Sequence, residues 1–106
     1  MNMKKKPTIA VLMSVRNEEN FIDLNISYHL DLGFDYIFIA NHCSTDGTNE
    51  VLESYKNNPK IVVINETDPV FDHAKIINNL ILRTKLSTIY FNLNIIIVFS
   101  IRKFVK

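Results

Sequence analysis

The sequence predicts an α/β domain built on a partial doubly wound parallel sheet, and three observations carry that expectation. Three short runs, Thr8 to Val15, Tyr36 to Ala40 and Lys60 to Asn65 with Ile61-Val62-Val63-Ile64 at its centre, are apolar on both alternations, as strands buried on both faces are. The segments between them end in helix stop signals, Gly33 after the first and Asn57-Asn58-Pro59 after the second. The resulting order of strand, helix, strand, helix, strand, helix opens a doubly wound sheet, because parallel neighbours need a crossover between them.

Taken in order, the first run follows Pro7 and is too short for an ordinary helix. Asn17 is placed to cap a following helix, with Glu18 and Glu19 in the first turn where the macrodipole favours acids. From Ile22 to Leu32 apolar and polar residues alternate with period two, the pattern of a strand. Its length exceeds the usual five or six strand residues, and the cap before it and Gly33 after it argue for a helix, with Phe21, Leu24, Tyr28 and Leu32 on the inward stripe. After the second strand, Ser44-Thr45-Asp46-Gly47-Thr48 leads into a helix to Lys56 whose apolar face is Val51, Leu52 and Tyr55. Beyond a loop at Pro69, Asp72 caps a third helix to Arg83, with Ile76, Ile77, Leu80 and Ile81 inward, and Ile95 to Val98 fits a fourth strand.

With 106 residues, 47% apolar and 22% charged, the chain has the composition of one small globular domain with a real core. All eleven acids lie between Glu18 and Asp72, and every formal charge beyond them is Lys or Arg. Lys75, Arg83, Lys85, Arg102, Lys103 and Lys106 are scattered among aliphatic side chains, so nucleic acid is not an expected partner. The single cysteine, Cys43, excludes an internal disulfide and fits a reducing, cytoplasmic setting, free or peripheral to a membrane. The basic start and apolar run of MNMKKKPTIAVLMSV mimic a leader, but the run ends in Arg16-Asn17-Glu18-Glu19 with no small-residue cleavage site, which fits a buried first strand.

The composition shifts after Lys85, dividing residues 7–85 from a divergent apolar tail at 86–106. The tail, interrupted by Asn92, Asn94 and Ser100, is too short for a membrane span. It reads either as a terminal strand or as an out-of-frame product of AT-rich coding DNA. Its uncharged, proline-free stretch from Tyr90 to Ile101 is of the kind that pairs edge to edge, so self-association through the tail is expected.

Three motifs in order, Asn17-Glu18-Glu19, Tyr28-His29-Leu30-Asp31-Leu32-Gly33 and Ser44-Thr45-Asp46-Gly47-Thr48, resemble the family 2 glycosyltransferases and their relatives of the GT-A fold. The resemblance covers Thr8 to Arg83, about the GT-A/Rossmann-like nucleotide-binding half of a domain whose complete form needs roughly 200 residues. It implies a nucleotide sugar, UDP-linked, as ligand and transfer to a glycan or other hydroxyl acceptor as the reaction of a complete enzyme. The alternative is a non-catalytic nucleotide-binding or interaction module of the same fold.

By position, the resemblance assigns nucleotide binding to Val15, Arg16, Asn17, Glu18, Asn41, His42 and Asp46. Relatives have Asp where this chain has Asn41, which keeps a donor and an acceptor for a base edge. They also carry an acidic D-x-D strand that holds Mg or Mn on the diphosphate. No Asp or Glu follows Asp72 here, so neither a metal cofactor nor catalytic residues are expected in this chain. Asp46 is also expected to cap its helix and tie down the loop, Gly47 to relieve backbone strain, and His29 to satisfy a local hydrogen bond. His42 and Cys43, adjacent in an extended segment, are expected to point apart and form no dyad.

Overall fold

The computed structural model describes residues 8–84 and 93–102, so the expectations placed on 1–7, on 85–92 and on 103–106 lie outside the described residues. The elements run β1 (Thr8–Arg16), α1 (Ile22–Asp31), β2 (Tyr36–His42), α2 (Thr48–Glu53), β3 (Ile61–Glu66), α3 (His73–Thr84) and β4 (Leu93–Arg102). The strands form one sheet in the order β3-β2-β1-β4, and every pairing is parallel.

β1 and β2 are interior, which is why their sequences lack alternation. Residues Ala10 to Val15 and Ile37 to His42 are all buried. Odd positions Val11, Met13, Val15, Ile37 and Ile39 face Ile22 and Ile26 of α1 and Leu52 of α2. Even positions Ala10, Leu12, Phe38 and Ala40 face Ile76, Ile77 and Leu80 of α3. The core is thus two apolar layers divided by the sheet, with α1 and α2 on one face and α3 on the other. At the amino end, Asp35 extends the pairing, donating its N–H to the Ile9 carbonyl and accepting the Ile9 N–H on Oδ2, both at 2.8 Å.

The period-two segment is a helix, but it buries the opposite stripe from the one expected. Ile22 and Ile26 are fully buried and Leu30 packs beside them, whereas Phe21, Leu24, Tyr28 and Leu32 are each more than half exposed. Strict alternation places apolar residues on both i, i+4 stripes, 22/26/30 and 24/28/32, so the pattern cannot say which one meets the sheet. Nor does Asn17 cap this helix. The N-cap is Phe21, without a side-chain bond, and Glu18 and Glu19 precede the first turn, which holds Asp23 instead. Gly33, at φ 96°, ends α1 as expected of a residue free to enter the left-handed region. Asp72 caps α3 through Oδ1, which accepts the Lys75 N–H at 3.2 Å. α2 ends three residues earlier than expected, and β2 and β3 each run past the expected end, to His42 and Glu66.

The burial difference sets the first test. Ile26→Ala is expected to lower stability by about 2–5 kcal/mol and Leu24→Ala by no more than about 0.5 kcal/mol in urea unfolding. The reverse order would place the other stripe on the sheet.

Candidate functional site

The parallel register sets the carboxyl ends of the strands side by side, and the polar residues of interest cluster there. Val15, Asn41 and Asn65 occupy one row across β1, β2 and β3. Immediately beyond it the chain makes two turns that grip each other.

The first turn begins at Asn17, which sits at φ 54°, a conformation that asparagine tolerates better than most residues. Its Oδ1 accepts the N–H of Thr45 at 2.7 Å and of Asp46 at 3.3 Å. The second loop reciprocates residue for residue. Ser44 Oγ accepts the Asn17 N–H at 3.1 Å, Thr48 Oγ1 the Glu18 N–H at 2.9 Å, and Asp46 Oδ2 the Glu19 N–H at 3.3 Å. Asp46 Oδ1 also accepts the Thr48 N–H at 2.9 Å and the Thr48 hydroxyl at 2.5 Å, so the acid ties down loop and helix start together. Burial alone would raise the Asp46 carboxyl, but the bonds donated by Thr48 and by the Glu19 N–H outweigh it and hold the group below its ordinary value.

Gly47 does not relieve strain, since its φ of −80° is open to any residue. A Cβ there would instead meet the end of the exposed Glu19 side chain, which would have to move aside.

The grip reaches the end of β2. Ser44 Oγ donates to Asn41 Oδ1 at 2.6 Å, and Asn41 Nδ2 donates to Asn49 Oδ1 on α2. Asn41 is 4% exposed and retains one N–H and one lone pair for a ligand. It lies at the end of a cleft of about 520 Å³ between α2 and β3, lined by Asn49, Leu52, Lys56, Ile61, Val63 and Asn65 among others. A shallower hollow over the ends of β2 and β3 shares Asn41, Asn49 and Asn65 with it. Both Asn49 and Asn65 are exposed. The cleft therefore offers an apolar floor with amide donors and acceptors at one end.

Of the residues assigned by position, Asn17, Glu18 and Asp46 share the interlocked turns and line a small hollow with Glu19, Asn20 and Phe21. Val15 lies wholly in the core, and Arg16 is half-exposed at the end of β1. His42 is not beside Asn41. Alternation turns it to the α3 face, where it is fully buried and its Nε2 donates to the Asp68 carbonyl at 2.6 Å. Cys43 does not point away from it as an extended residue would. Its φ of 51° swings Sγ towards the same loop, 3.4 Å from the Glu66 carbonyl and 3.6 Å from that of Asp68. Each side chain is engaged with backbone carbonyls, an anchoring arrangement rather than a nucleophile and base.

Within the loop after β3, the Val70 N–H and then the Lys75 ammonium hold the Asp68 carboxyl below its ordinary value, and Asp68 in turn raises Lys75. His29 bonds the Asn25 carbonyl through Nδ1 at 2.8 Å and meets Tyr28 and Phe34 edge-on. Burial, and then the Asp23 carboxylate that its hydroxyl bonds, push Tyr55 up to about 12 and tie the end of α2 to α1.

Asn49 and Asn65 escaped the sequence reading. Asn65 carried a usable signal, being the residue of the third strand that falls level with Asn41. Among the described residues no helix is long and apolar enough to cross a membrane, and no three His, Cys, Asp or Glu side chains converge to hold a metal. No protein-family model, curated protein or solved structure matches the chain.

A depressed carboxyl contributes stability above its unfolded pKa and loses it as pH falls through the folded value. Stability is therefore expected to drop below about pH 4, and to drop less in Asp46→Asn. Urea midpoints at pH 6, 4 and 3 measure both slopes, and equal slopes would remove Asp46 from the account.

Proposed function

We propose that the chain is a glycosyltransferase-like, nucleotide-binding domain of the GT-A/Rossmann-like type, with a partial doubly wound sheet, that binds the nucleoside of a UDP-linked sugar. Supporting this reading is one observation above the others. The loops of the motifs Asn17-Glu18-Glu19 and Ser44-Thr45-Asp46-Gly47-Thr48 are bonded to each other and to Asn41, beside a cleft of mixed lining that has Leu52, Ile61 and Val63 along it and amides at its end.

Uracil presents a donor flanked by two acceptors, and the open valences of Asn41, Asn49 and Asn65 match that pattern while Ile61 and Val63 give the ring an apolar surface. Glu18 and Asp46 act by fixing the loop; Val15 acts as the packed base on which the site rests. His42 holds the β3–α3 loop and reaches the ligand only through it.

The division of labour in a transfer reaction argues for binding without turnover by this polypeptide. The acceptor hydroxyl needs a general base, and the departing diphosphate needs compensating positive charge. In the resembled enzymes acidic residues beyond the third helix hold the metal that carries this charge, and here no Asp or Glu follows Asp72. The same observation favours the non-catalytic module as the second reading.

Calorimetry with UDP and uridine distinguishes these expectations. Asn49→Ala and Asn65→Ala, at exposed positions, are each expected to weaken both ligands by about tenfold, the scale of about 1.4 kcal/mol for a lost hydrogen bond. Unchanged affinities would move the nucleoside elsewhere. Sustained release of UDP from a UDP-sugar in the presence of Mg or Mn would contradict binding without turnover.

A further inference from the structure

In the order β3-β2-β1-β4, β3 has a neighbour on one side only. Its even residues make the ladder to β2: the Ile37 N–H donates to the Lys60 carbonyl at 2.8 Å, the Cys43 N–H donates to the Glu66 carbonyl at 3.2 Å, and the register between them is unbroken. Ile61, Val63 and Asn65 therefore turn their backbone groups outward, away from the sheet. Two of these groups are already engaged. The Ile61 N–H donates to the Asn58 carbonyl at 3.1 Å, and the Asn65 carbonyl accepts from Arg83 Nη1 at 3.0 Å. Among the described residues, the Ile61 carbonyl, both groups of Val63 and the Asn65 N–H are left without a partner.

Soluble proteins blunt such an edge with exposed charge, proline or a bulge. β3 reads IVVINE, its one charge, Glu66, is buried, and Val62, Val63 and Ile64 are half-buried along it. The open edge is also complementary to its own two-fold copy. Antiparallel pairing centred on Val63 sets that residue opposite Val63 of a second copy, and Ile61 opposite the second copy's Asn65. The two Val63 residues then exchange both hydrogen bonds, and each Asn65 N–H donates to an Ile61 carbonyl. Every unpartnered group is used, while the two engaged groups, the Ile61 N–H and the Asn65 carbonyl, fall opposite each other and need no new bond. A pairing centred on Ile61 or on Asn65 would require one of the engaged groups.

Side chains agree with the same register. Between the hydrogen-bonded pairs lie closer ones, about 4.5 Å apart at Cα. Val62 opposes Ile64 there, on the face where both pack against the layer of Ile76, Ile77 and Leu80. Exposed Lys60, just before β3, falls opposite Glu66, an opposite-charge pair at each end of the ladder. On the other face Val63 meets Val63 beside the cleft of about 520 Å³. Pro59, which has no N–H to donate, stops the ladder one residue further out.

We propose that β3 is a homodimer interface, at which two copies of this chain join edge to edge, antiparallel about a two-fold axis at Val63, and extend the sheet across the pair. Such a contact uses each edge once, so it closes at two copies. It is separate from association through the tail, and it does not rest on the nucleoside reading, because backbone groups define it.

Sedimentation of the full chain at about 100 µM, within the range where unpaired strand edges associate, is expected to give twice the 12.3 kDa of one copy. Val63→Pro removes an outward N–H without touching the ladder to β2, and is expected to weaken the dimer at least about tenfold, since each copy loses a hydrogen bond. Lys60→Glu sets like charges opposite and should weaken it as well. Leu24→Lys, on the exposed stripe of α1, should dimerise as the parent does. Circular dichroism checks that each variant is folded. Amide exchange in the parent, followed by NMR from about 30 µM to about 1 mM, needs no variant. Exchange at Val63 and Asn65 should slow as concentration rises, while Val62 and Ile64, bonded to β2, stay protected throughout. A monomeric parent, or exchange at Val63 and Asn65 that ignores concentration, would overturn the proposal. So would a dimer broken by Leu24→Lys but untouched by Val63→Pro and Lys60→Glu, which would place the interface on α1.

Discussion

The polar end of this domain depends on a reciprocal bond between two turns. Asn17, held in the left-handed region, lends one carbonyl oxygen to two N–H groups of the second loop. That loop returns an oxygen to each of three successive N–H groups of the first. Five backbone donors that water would otherwise satisfy are bonded inside the protein, at net gains of about 0.5–1.5 kcal/mol each. The larger consequence is positional. Strands β1 and β2 are fixed by their ladder only as far as Val15 and Asn41, and the interlock carries that registry outward into the loops.

From this constraint the placement of the remaining residues follows. Ser44 serves both sides, accepting from Asn17 and donating to Asn41, so the amide at the end of β2 is oriented by the same grip. Thr48 is buried at the start of α2 because its hydroxyl links Glu18 to Asp46. His42 and Cys43 anchor the loop after β3 on the opposite side of the sheet, which leaves the α1/α2 face of that row to the asparagines. Small hydroxyls and an acid are the composition such a junction requires.

The sheet and its helices were legible because burial on both faces leaves a plain mark: Ala10 to Val15 and Ile37 to Ala40 are unbroken, and α3 shows its inward side in Ile76, Ile77 and Leu80. α1 was legible as a helix but not in its orientation, since alternating apolar residues give it two equivalent stripes and only contact with the sheet chooses Ile22 and Ile26. Asn17 illustrates a different limit. An asparagine ahead of a helix reads as its cap, and its true partners lie 28 and 29 residues away, a pairing that only the parallel register creates. The separation of His42 from Asn41 was readable from strand alternation once β2 was known to run through both. Cys43 was not, because its positive φ has no mark in the sequence.

Native-state amide exchange, followed by NMR in the parent and in Asn17→Gly, tests the interlock most directly. Glycine accepts the left-handed backbone of position 17 and removes only the side-chain oxygen. The reciprocal arrangement predicts that the amides of Asn17, Glu18, Glu19, Thr45 and Asp46 are protected together in the parent. In the variant, the four that remain comparable, Glu18, Glu19, Thr45 and Asp46, should lose protection together while Leu12 and Phe38 keep theirs. Faster exchange confined to Thr45 and Asp46, with Glu18 and Glu19 unchanged, would contradict it and show two turns that merely touch.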